Sequence, residues 1–89
     1  MTDQSLTEDL KRERDDLEKA DQDLREGAER ITKQQLLIER LGAQGHETDQ
    51  AEALLLNLEQ MLEAWLAHRA LIIERIALLE HSSDLGGAS

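Results

Sequence analysis

Eighty-nine residues allow one small domain at most, and the absence of Pro, Phe, Tyr, Cys and Val, with Trp65 the only aromatic residue, removes the usual markers of a layered globular fold. Leu, Ile and Ala supply most of the apolar content beside abundant Glu, Gln, Arg and Lys, a composition of long helices or coiled coils. Twenty acids against ten bases give a formal charge of −10, which disfavours nucleic acid and anionic membranes as partners, and the lack of cysteine excludes disulfides and thiolate chemistry while fitting a reducing compartment.

Residues 1–5 read as a frayed N-terminal tail. Met1 to Leu10 is polar and acidic, unlike a secretory signal. Ser5 and Glu8 have the spacing of a capping box, and a first helix is predicted over 6–41. Within it Leu10, Leu17, Leu24, Ile31 and Ile38 recur every seven residues, the seam of a left-handed coiled coil. Its outer face carries acid-first i,i+4 pairs such as Glu8–Arg12, Asp15–Lys19, Asp21–Arg25, Glu26–Arg30 and Glu29–Lys33. Glu13 and Gln35 are polar residues assigned to the same seam.

A turn is expected over 42–48, with Gly42 as the left-handed helix cap and Thr48 as the N-cap of the next helix. That second helix is predicted over 49–81. Its main stripe is Ala51, Leu55, Leu58, Leu62, Trp65, Arg69, Ile72, Ile76 and Leu79, alternating in steps of four and three. Residues 82–89 are rich in Gly and Ser and are expected to form a disordered tail.

The two seams are in register. Folded back at the turn, Leu10 faces Leu79, Leu17 faces Ile72, Leu24 faces Trp65, Ile31 faces Leu58 and Ile38 faces Ala51. The agreement of turn position with two independent periodicities predicts an all-α fold, a coiled-coil-like helical hairpin of two long antiparallel helices. Gly27 sits mid-helix, where glycine costs about 1 kcal/mol relative to alanine; in this register Gly27 and Ala28 lie opposite Leu62 and Trp65, and the two small residues are expected to leave room for the indole. Arg69, on the core stripe, is expected to pair with Asp21 or Asp16.

The second helix has another apolar stripe opposite the first: Ala53, Leu56, Ala64, Ala67, Leu71 and Leu78. A helix apolar on two sides is normally covered on both, and a stripe running along roughly 40 Å of helix exceeds what a soluble monomer usually exposes. The expected remedy is a twofold homodimer, second helix against second helix, forming a four-helix bundle. A helix of a different protein is the rival.

Chemistry is sparsely supplied. His46, Glu47 and Asp49 cluster in the turn but fall short of a defined metal set, and position 50 is Gln, so no zinc-protease motif continues from them. None of the three histidines follows a Glu by three residues, those positions being Ala43, Trp65 and Leu78, which excludes the usual di-iron pattern. His68 reads as a packing histidine at the edge of the seam. No nucleophile–base pair or glycine-rich phosphate loop is present, since Gly86-Gly87 lies in the tail. The reading is a non-enzyme with no cofactor and no metal. A membrane span is likewise not expected, because the richest segment, from Ala64 to Leu79, is interrupted by His68, Arg69, Glu74 and Arg75.

From Ala28 onward, Ala28-Glu29-Arg30-Ile31, Gln34, Ile38 and Leu41 lead into Gly45-His46-Glu47-Thr48, followed by Ala51, Leu54-Leu55, Leu58-Glu59, Leu62, His68-Arg69 and Ile72. This pattern resembles a group of short uncharacterised bacterial proteins with a Gly-His-acid-Thr turn between two helices. The resemblance covers about half the chain and implies a helical hairpin of bacterial, cytoplasmic origin with no activity to carry over. Two functions remain: an interaction or oligomerisation module acting through the second stripe, or a small regulator sensing a ligand or partner through the His46 turn or the His68–Arg69 edge.

Overall fold

The computed structural model describes the backbone of residues 2–88 and the side chains of residues 4–82. Two helices account for nearly all of it: α1, Thr2–Ala43, and α2, Asp49–Ala88. The chain is an all-α helical hairpin. Both helices outrun their expected ends. α1 already contains residues 2–5, and α2 continues through 82–88, where the composition suggests a disordered tail. With no proline anywhere in the chain, nothing interrupts helical hydrogen bonding at either point, and the Ser5–Glu8 capping box is bypassed.

The helix stop is set by Gly45. His46 N donates to Leu41 O at 2.9 Å and Gly45 N to Gly42 O at 3.1 Å, the paired bonds of a Schellman motif. Its left-handed residue is Gly45, at φ 77°. This corrects the assignment of the cap to Gly42. Gly42 lies inside the last turn of α1, and the left-handed position comes three residues later. On the other side, Glu52 N donates to Thr48 O at 2.8 Å, so Thr48 stands just before the first helical residue, with Asp49 and Glu52 in the first turn, where the helix dipole favours acids.

The chain divides into two compact units, each pairing part of α1 with part of α2. In the unit of residues 22–66, Leu24, Ile31, Ile38, Ala51, Leu55, Leu58, Leu62 and Trp65 are half-buried and Gln34 is buried. Gln34 Nε2 donates to the Ala51 carbonyl at 2.8 Å. The polar seam residue here is therefore Gln34 and not Gln35, which is exposed. The heptad explains the correction: the second core position falls three residues after Ile31, and one further step turns a side chain by about 100° away from the seam.

Gly27 also belongs to this unit. A Cβ built on it would meet Leu62 Cδ1 at 3.4 Å, so its nearest neighbour is Leu62 and not the indole. Trp65 lines the same hollow as Gly27 and Leu62 without being the group that the glycine accommodates.

In the unit of residues 1–21 and 67–89, Ala20 and Ile72 are buried and Leu10, Leu17, Arg69, Ile76 and Leu79 half-buried. Arg69 Nε donates to Asp21 Oδ1 at 2.5 Å, which selects Asp21 over Asp16. Arg14 reaches Glu80 at 3.0 Å and Arg75 approaches Glu13 at 3.8 Å. Asp21 is thus taken by the opposite helix rather than by Arg25, and Arg12 lies 3.8 Å from Asp9 in place of the expected Glu8 pair. All nine core-seam residues named from sequence are buried or half-buried.

Candidate interaction surface

Helical periodicity that directs one stripe of α2 inward directs another outward. Among residues 49–82 of α2, the side chains withdrawn from solvent are Ala51, Leu55, Leu58, Leu62, Trp65, Arg69, Ile72, Ile76 and Leu79, all of them on the main stripe. The second stripe is exposed throughout. Ala53, Leu56 and Ala64 lie in the unit of residues 22–66, and Ala67, Leu71 and Leu78 in the other. Leu56, Leu71 and Leu78 retain 57%, 50% and 62% of their accessible area, so within a single chain these large side chains gain little from folding.

Exposure goes further than the stripe named from sequence. Leu54, Met61, Leu66 and Ile73 on α2, and Leu36 and Leu37 on α1, are also exposed. All but Leu36 occupy positions flanking the seam, where coiled coils usually carry Glu or Lys. Leucine, isoleucine and methionine at those flanks, in place of Glu or Lys, are the available sequence signal. α2 is consequently apolar on most sides, whereas α1 has a charged outer face.

The other candidate groups are placed as follows. His46 is exposed in the turn and its backbone N–H closes the Schellman motif. His68 is exposed, which corrects its reading as a packing histidine at the seam edge, and its neighbour Arg69 is held by Asp21. Among the described residues, no three His, Cys, Asp or Glu side chains converge as a metal site. Glu13 is half-buried. Its Oε2 is withdrawn from solvent without a hydrogen-bond partner, the Arg75 guanidinium at 3.8 Å being within ion-pair reach only. No described helix is long and apolar enough to cross a membrane.

Fold and surface together define a two-helix protein with an uncovered apolar face. Comparison with protein families, curated proteins and solved structures returns no match. The helical hairpin implied by the resemblance to short bacterial proteins is thus present, while that group's turn motif and origin find no support beyond the residues that carry the resemblance.

Proposed function

We propose that this chain is a non-enzymatic helical docking module whose working surface is the outward face of α2. The observation that carries this reading is the exposure of Leu56, Leu71 and Leu78 on a helix whose opposite stripe is already packed. Large apolar side chains repeating at helical spacing outside the core are what a partner helix binds. The stripe alone fits either a second copy, as in a twofold four-helix bundle, or a helix of another protein. The small residues Ala53, Ala64 and Ala67 permit close approach in both cases. A cytoplasmic setting accords with the acidic, cysteine-free composition, and a bacterial origin rests on the residues shared with the resembled group. The sensing alternative is weakened because Arg69 is already engaged by Asp21.

The test has two parts. Solution mass measured by sedimentation equilibrium across a concentration series shows whether a second copy occupies the face. In parallel, Leu56→Glu and Leu71→Glu, each placed singly, are expected to leave the helicity and stability of the monomeric chain within about 0.5 kcal/mol of the parent, because an exposed position contributes little to folding. A loss of several kcal/mol by either variant, with the chain monomeric, means that the face is covered within the chain itself and overturns the docking reading.

A further inference from the structure

Charge separates the candidate partners. In the unit of residues 22–66, the α2 stretch from Asp49 to Leu66 carries Asp49, Glu52, Glu59 and Glu63 and no Lys, Arg or His. Among the described residues, Glu52, Glu59 and Glu63 make no ion pair. At helical spacing these three lie along one edge of α2, in the same row as the exposed Leu56. Next to that row run Ala53 and Ala64, and beyond them the exposed Leu54 and Met61. The outward face here therefore carries small residues between an acidic row that includes Leu56 and the exposed Leu54 and Met61. Asn57 and Gln60 add neutral hydrogen-bonding groups to it.

A second copy laid α2 on α2 here brings another acidic edge and no base from that stretch, so like charges meet along the contact. A helix with a Leu or Ile stripe flanked by Lys and Arg packs its stripe on the same face and meets the acids with opposite charge. We propose that the outward face of α2 around Leu56 docks a basic amphipathic helix of another protein. This rests on the docking reading above and names its partner.

The test uses the full chain and two labelled synthetic amphipathic helices with the same leucine stripe, one flanked by lysine and the other by glutamate. Binding is read by fluorescence anisotropy, with sedimentation equilibrium of the chain alone alongside. The expected result is a monomer that binds the lysine peptide one to one, more weakly as salt rises, and ignores the glutamate peptide. The triple variant Glu52→Gln/Glu59→Gln/Glu63→Gln is expected to weaken binding by about tenfold or more. Asp15→Asn/Glu18→Gln/Glu29→Gln, which removes the same charge from exposed positions of α1, is expected to leave it nearly unchanged. Equal losses in the two triples would reveal diffuse attraction by net charge and overturn the proposal. A stable dimer that ignores both peptides also overturns it, yet leaves the docking reading standing with a second copy as occupant. A monomer that ignores both peptides overturns the proposal, while the docking reading then stands or falls on the stability of Leu56→Glu and Leu71→Glu.

Discussion

Gly42 and Gly45 belong to the same turn, yet alanine is expected to act in opposite directions at the two positions. Gly45 has φ 77°, a conformation that a Cβ penalises, so Gly45→Ala should destabilise by about 1 kcal/mol. Gly42 has helical neighbours, and a methyl added there would meet nothing within 4 Å, so Gly42→Ala should stabilise by roughly 0.5–1 kcal/mol. Gly27→Ala should follow Gly42, because its new methyl would touch Leu62 at an ordinary 3.4 Å. Urea unfolding of the three variants checks the signs. A second residue-scale expectation concerns Glu13, whose side chain is 17% exposed and whose Oε2 lacks a hydrogen bond. Replacing an under-satisfied seam carboxylate by an apolar side chain, Glu13→Leu, should raise stability by about 1 kcal/mol. A lower urea midpoint would mean that the Arg75 attraction outweighs the desolvation of the carboxylate.

The two helices differ in kind. α1 is a heptad helix with one apolar seam and a charged outer face, legible in the recurrence of Leu10, Leu17, Leu24, Ile31 and Ile38. α2 has apolar residues around most of its circumference, and its periodicity identifies the inward stripe without showing how much of the remainder stays uncovered. Between the helices, Gln34 supplies a directional contact that simple apolar packing lacks, since its amide reaches the Ala51 carbonyl at 2.8 Å. Gln34→Ala is expected to lower stability by about 1–2 kcal/mol through the lost bond and the space left behind. Gln35→Ala, on an exposed position, should stay within about 0.5 kcal/mol. Thermal unfolding of this pair distinguishes a seam glutamine at 34 from one at 35; the reverse ranking would place the seam one residue later.

At the scale of the whole molecule, a charge of −10 on 89 residues means that self-repulsion opposes the compact state. Sodium chloride screens it. The melting temperature of the isolated chain should therefore rise by a few degrees between low and moderate salt, on the order of 1 kcal/mol. Docking of a basic helix should weaken over the same range, so fold and complex would respond to salt with opposite signs. Circular dichroism melts of the chain alone check the first half, and a flat or falling melting temperature would show that the ion pairs, such as Arg69–Asp21 and Arg14–Glu80, outweigh the net repulsion.

The helical class and the inward stripes were legible in the sequence, because apolar periodicity and helix propensity are local properties repeated over many turns. The Asp21 partner of Arg69 was legible among two alternatives for the same reason of register. Leu62 opposite Gly27 followed from the same register, whereas the choice of Gly45 over Gly42 as the left-handed residue and of Gln34 over Gln35 in the seam emerged only from the fold. Each depends on a rotation of one residue or a displacement of a single turn, which spacing alone does not resolve. The same holds for the open flanks at Leu54, Met61 and Ile73, whose exposure depends on how far the opposite helix reaches around α2.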